Sequence, residues 1–357
     1  MLSEIDTLVL TDKGFKLVND LDEDDKLTTI VNGKLTYEPL FRVVDKPACK
    51  DIVVYDSNKN VATSSLSYCK FYNDNLNSPN NAYTLREVIE KRGSSSILLS
   101  YDANLTDSEN LSELISKKCI IDFNETSCLQ FEHNDVIKLI LIYFLHNNIG
   151  ETSENELAMY CYSVSDYENL NTLLLRIFHK YEDDFITIFK DLFTYSSINY
   201  LNKSSLYGVF KIKSKFLSNY VDRLHDVCDF IRKNPNYVIS ILKDLSEQTD
   251  DTKWRLKFGV INNGIINSLS EILVLSGYKI FIQKHRYINS LTFIKNDRGK
   301  VSEYLLEDIK NRKKIIYADI ETPTPIPIFV LDVYNKKVSV TIRQTIGNNN
   351  FFYNKQS

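Results

Sequence analysis

The first third of the chain alternates apolar and polar positions in short runs. Residues 7–11 alternate and meet a turn at Asp12, Lys13 and Gly14, after which 15–18 resumes the pattern. Residues 27–31 and 34–37 flank Asn32-Gly33. That dipeptide suits a two-residue hairpin, because both central positions of a type I′ turn take positive φ. Runs at 41–44, 51–55, 61–63 and 96–101 continue the series, and a helical stretch at 84–91 stops at Arg92-Gly93. Many short strands at even spacing predict a β-sandwich or irregular barrel over residues 1–125.

From residue 126 the period changes. Residues 136–148 form an almost uninterrupted apolar run. A bilayer span needs about 20 apolar residues, so the run predicts a buried helix instead. It ends on His146, Asn147, Asn148, Ile149 and Gly150, a turn sequence. A weaker version occupies 237–247, and similar elements follow each copy. After the first come a strand at 156–162, a helix at 167–181, a strand at 207–213 and a helix at 214–231. After the second come a strand at 253–258, a helix at 265–275 stopped by Gly277, and strands at 278–284 and 290–294. Residues 126–299 therefore predict a duplicated α+β unit, with pseudo-repeats at 126–235 and 236–299. Strands return at 326–333, 337–342 and 348–353. An all-β beginning and end around an α+β middle predict one domain inserted into another.

Composition changes little in this picture. With 43% hydrophobic and 25% charged residues and no low-complexity tract, the 357-residue chain is globular material for two or three domains. A net charge of −4 excludes a uniformly basic protein but leaves room for a local basic face. The N-terminus lacks the basic and apolar regions of an export signal. The six cysteines are scattered without a CxxC pair, which predicts buried thiols in a reducing compartment rather than disulfides or zinc. The expectation is an intracellular protein of cytoplasm or nucleus, not secreted and with no membrane partner; a viral source is compatible with it. Phosphate-cradling glycine loops, zinc spacings and nucleophile elbows are absent from the sequence.

Three stretches carry a family resemblance. Residues 1–14, from Met1 to Gly14, resemble the opening of an intein (Hint) module, which starts on a nucleophile and runs into a Thr-x-Val strand and a hairpin with Gly. Residues 337–342 with 349–354 resemble its last two strands. The paired apolar helices between them resemble a double-motif LAGLIDADG homing endonuclease, the usual insert in large inteins. The likeness covers nearly the whole chain in element order. It implies an α+β protein in which an all-β Hint-like domain (1–125 and 300–357) is split by an inserted, duplicated LAGLIDADG-like α/β domain (126–299). It also implies double-stranded DNA as partner and a monomer with internal pseudo-two-fold symmetry.

The reactive positions of both families have drifted. Splicing needs a thiol or hydroxyl at the first residue, where this chain has Met1. It also needs a Thr-x-x-His motif, whose His assists the acyl shift, and Leu66 stands where that His would be. The acid of the penultimate strand falls on Val340, and no His-Asn pair precedes Ser357. LAGLIDADG enzymes cut DNA with one carboxylate at the end of each motif helix, which hold the metal ions that activate water. Those positions fall on Asn148 and Ser246, poor ligands for Mg²⁺, with Asp244 and Glu247 nearby. Tyr143 and Ile241 occupy the positions where the family's helices cross on glycine. The resemblance thus implies a pseudoenzyme without catalytic residues, metal or other cofactor, Mg²⁺ entering only if residual nuclease activity exists.

The candidate DNA surface is intact. Lys253, Arg255 and Lys257 alternate with Trp254, Leu256 and Phe258, so period two places the cations on one face of a strand. Lys211 and Lys213 repeat the pattern, as do Lys279, Gln283 and His285. Two-stranded ribbons enter the major groove, where Lys or Arg reads guanine and Gln reads adenine, while other lysines neutralise phosphates. The plain alternative is a solvated sheet face. Residues 310–314 add a basic run that a solvated loop also explains. The sequence-level expectation is a domesticated, non-cutting relative that binds DNA as a regulatory or architectural factor. A scaffolding subunit with protein partners only, and a residual Mg²⁺-dependent nuclease, remain the alternatives.

Overall fold

The computed structural model describes Ser3–Glu4 and residues 7–46, 52–57, 60–65, 70–72, 76, 81–84, 87, 96–116, 118–124, 127–146, 156–161, 163–178, 180, 208–213, 224–259, 263–284, 288–295, 299–300, 317–334 and 337–347. The chain is mixed α+β, with several antiparallel sheets and six α-helices among these residues. It divides into two compact units. Unit 1 comprises Met1–Leu105, Leu273–Gln283 and Phe293–Ser357; unit 2 comprises Thr106–Ile272 and Lys284–Thr292.

The first strands are β1 (Ser3–Glu4), β2 (Leu8–Thr11), β3 (Gly14–Leu17), β4 (Lys26–Val31), β5 (Lys34–Pro39) and β6 (Arg42–Lys46). They are followed by β7 (Ile52–Ser57), β8 (Asn60–Ser65), β9 (Lys70–Tyr72), β10 (Ala82–Thr84) and β11 (Ser96–Ile97). Next come α1 (Leu111–Ser116), β12 (Lys118–Asn124), β13 (Ser127–Glu132), α2 (His133–His146) and β14 (Glu156–Cys161). The middle continues with α3 (Val164–Phe178), β15 (Gly208–Lys213), α4 (Leu224–Lys233) and α5 (Pro235–Leu245). Then follow β16 (Glu247–Asp250), β17 (Lys253–Phe258), α6 (Asn263–Leu275), β18 (Tyr278–Gln283) and β19 (Asn289–Lys295). The chain closes with β20 (Gly299–Lys300), β21 (Tyr317–Thr322), β22 (Pro327–Tyr334), β23 (Lys337–Gln344) and β24 (Ile346–Gly347).

In unit 1 the main sheet runs β18-β23-β22-β2-β4-β5, with β3 on β2 and β9 on β23. Turn chemistry sets its first hairpins. Gly14 at φ 98° closes β2 onto β3, and the Thr11 hydroxyl donates to the Gly14 carbonyl at 2.8 Å. Asn32 at φ 51° and Gly33 at φ 77° close β4 onto β5, so Val31 pairs with Lys34. Asp25 is buried beneath the first hairpin, where the ammoniums of Lys13 (3.2 Å) and Lys16 (2.5 Å) and the Asp22 N–H (2.9 Å) bind it. The core is built from Val9, Leu27, Phe71, Ile97, Ile328 and Val330. Val340 is buried on β23 opposite Leu331.

Unit 2 holds the helices. The apolar run folds as α2, buried nearly all round, as an unbroken hydrophobic surface requires. Pro235 opens α5, since its missing N–H is one the first turn leaves unpaired anyway. Val238, Ile239, Ile241, Leu242 and Leu245 form the buried side of α5. The two helices start beside each other, with the Tyr237 hydroxyl donating to Asn134 Oδ1 at 3.3 Å. Lys138 on α2 then reaches Asp244 on α5 at 3.1 Å. Tyr143 and Ile241 are both buried. No helix among the described residues is long and apolar enough to cross a membrane.

Several boundaries differ from the expected 1–125, 126–299 and 300–357. Residues 106–125 belong to unit 2, because β12 pairs with β13, which leads into α2. Residues 273–283 belong to unit 1, because β18 hydrogen-bonds to β23. The helix expected from 167 begins at Val164, and the one expected from 214 is described from Leu224. Only Glu87 of the expected helix at 84–91 is described as helical, and the strand at 348–353 lies outside the described residues.

Candidate functional site

The strand that carries the expected cations is built as its alternation demands. Leu256 and Phe258 are buried at 1% and 0% exposure, while Lys253, Arg255 and Lys257 remain partly exposed. Trp254 shares the apolar face, and the Lys243 ammonium of α5 sits 4.6 Å from its ring centroid. Beside β17 lies α3, whose start is fixed locally. The Asp166 N–H donates to Ser163 Oγ at 3.1 Å, the N-cap bond expected of Ser followed three residues later by an acid. Leu170, Leu173, Leu174 and Ile177 bury one stripe of this helix. Its other stripe, Ser165, Glu168, Asn169, Thr172 and Arg176, repeats at the three- and four-residue spacing of one helical face.

That polar stripe and β17 enclose a cleft of about 420 Å³. Arg255 and Lys257 line it from the strand, Arg176 from the helix, and Glu247 from β16. The Asn169 amide donates to the Lys257 carbonyl at 3.2 Å and fixes the helix against the strand. Glu247 stands opposite Arg255 in register, yet its carboxylate goes to Lys257 at 2.7 Å. Three cations against Glu168 and Glu247 leave the cleft with a positive balance. Such a cleft can hold an anion with hydrogen-bonding oxygens.

At the first turn of α3 is a buried titratable pair. His146, the last residue of α2, and Asp166 are both fully buried, with Nε2 and Oδ1 3.7 Å apart. The His146 Nδ1–H donates to the Ile142 carbonyl at 3.0 Å, so a neutral ring turns its bare nitrogen toward the carboxylate. Burial pushes the imidazole down to about 4, against the raising effect of that carbonyl. Burial also pushes the Cys161 thiol up, with Asp166 adding to the effect.

The expected site residues separate into groups. Ser246 ends α5 with its hydroxyl turned back to the Leu242 carbonyl at 2.6 Å, and it is 6% exposed. Asp244 and Glu247 flank it, each closed on a lysine, Lys138 and Lys257 respectively. In the register of β15 with β14, Lys211 pairs with Ala158 and Lys213 with Glu156. Lys279 corrects the expectation. It is 2% exposed, because β18 lies inside the unit 1 sheet rather than on an open ribbon, and Gln283 at the strand's end is half-buried. Met1, Leu66, Asn148, His285 and residues 310–314 lie outside the described residues.

Arg176 and Glu168 escaped the sequence reading. Their signal was the polar stripe along 165–176, which is also the mark of any solvated helix face. Compared with known proteins, the chain matches no family model, and no curated protein matches it.

Proposed function

We propose that unit 2 binds double-stranded DNA without cutting it. The observation that carries this reading is the β17 face, where Lys253, Arg255 and Lys257 stay accessible while Leu256 and Phe258 anchor the strand in the core. Strand cations at this spacing meet successive phosphates or base edges of a groove. The chain ends of α5 support the non-cutting half. Asp244 and Glu247, the acids nearest the expected metal position, are each bonded to a lysine. The Ser246 hydroxyl is turned into its own helix. A metal would have to displace two ion pairs to gain two ligands.

Filter binding of the full chain to random duplex DNA, across a salt series, tests the reading. Affinity should fall as salt rises, and the triple reversal K253E/R255E/K257E should abolish binding. Failure to bind at low salt, or binding indifferent to salt, would overturn it. Plasmid nicking in Mg²⁺ should be nil, and nicking lost on Glu247→Gln would instead establish a nuclease.

A further inference from the structure

We propose that the cleft between α3 and β17 is a phosphate-binding site whose two arms are Arg176 and Arg255. Both arginines line the cleft, and neither has an ion-pair partner among the described residues. The neighbouring cations differ in this respect, since Lys257 is bonded to Glu247 and Lys138 to Asp244. Glu168 does not quench Arg176. It stands eight residues earlier on the same helix, about 12 Å along the axis at 1.5 Å per residue. A guanidinium presents planar, paired N–H donors, a geometry that matches the oxygens of a phosphate in bidentate fashion, and two arginines lining one concavity supply two such forks.

The cavity supports the same assignment. At about 420 Å³ it exceeds a bare phosphate and falls among small-ligand sites, so an ester group can follow the phosphate in. Ser165 and Thr172 add hydroxyls, and the Asn169 bond to β17 keeps the two walls in register before any ligand arrives. The shared chemistry is a phosphate ester. Its source is a DNA backbone phosphate if the DNA-binding reading above holds, and a free phosphate ester otherwise.

Two titrations of the full chain separate these sources. Trp254 faces the other side of β17 from Arg255, so occupancy is read directly, by equilibrium dialysis for phosphate and filter binding for the duplex. Inorganic phosphate is the first probe and a random duplex the second. The variants are Arg176→Ala, Arg255→Ala and, as a charge-matched control away from the cleft, Lys233→Ala. Each arginine variant should weaken duplex binding roughly tenfold. Each should also reduce the salt slope by about one contact. Lys233→Ala should do neither. Duplex binding that depends on Arg176 as well as Arg255 supports the proposal with DNA as the source, whether or not inorganic phosphate binds measurably. A saturable, arginine-dependent phosphate response without duplex binding supports the cleft and defeats the DNA reading. Duplex binding that ignores both arginines, with no saturable phosphate response, overturns the cleft and leaves the DNA reading standing. No response to either probe overturns both.

Discussion

Acidification should loosen unit 2 through one side chain, His146. The ring is fully buried and held neutral, with its pKa pushed down to about 4 by burial. In the unfolded chain it returns to about 6.5. Between those values the unfolded state binds the proton and the folded state does not, so stability falls as pH falls through that window. It is unaffected above about 6.5. Linkage across these two values gives a loss of about 2 kcal/mol by pH 5 and about 3 kcal/mol by pH 4. These are upper bounds, because Asp166 lies 3.7 Å from Nε2 and would partly satisfy a protonated ring. The measurement is urea unfolding of the full chain at pH 7 and pH 5, followed by Trp254 emission, which reports unit 2 alone. His146→Phe keeps the bulk and removes the titration, so carboxylates elsewhere cancel between the two proteins. The wild type should lose up to about 2 kcal/mol more than the variant on acidification. Equal losses, or a wild type that gains stability at pH 5, would refute the reasoning.

Two further outcomes follow from single side chains. Gly259→Ala places a Cβ 3.0 Å from both Asp166 carboxylate oxygens, and Asp166 is pinned in the first turn of α3. Such overpacking should cost about 1–3 kcal/mol, read as a lowered urea midpoint in the Trp254 signal. Glu247→Gln releases Lys257 from its 2.7 Å partner without a stability change beyond the ~1 kcal/mol or less of an exposed pair. Duplex binding should tighten and the salt slope should steepen by up to about one contact. A slope unchanged from the wild type would mean that Lys257 does not meet phosphate.

What the sequence determined by itself was local. Asn32-Gly33 gave its hairpin because two adjacent positive φ angles suit few other pairs. The alternation from Lys253 to Phe258 gave a strand with one buried face, and the unbroken run to His146 gave a helix buried all round. In each case backbone geometry fixes which residues share a face. What covers that face is a matter for elements far away in the chain. Lys279 shows the limit: its alternation matches that of Lys253, yet pairing of β18 with β23 buries it. The cleft shows the same limit from the other side. Arg176 and Arg255 are far apart in sequence, on a helix and a strand that each look like an ordinary polar surface alone. Only packing of α3 against β17, with the Asn169 amide bonded across it, sets two arginines around one cavity, and only packing of α2 against α3 brings His146 within reach of Asp166. Periodicity reports the side of an element, and tertiary contact decides what that side meets.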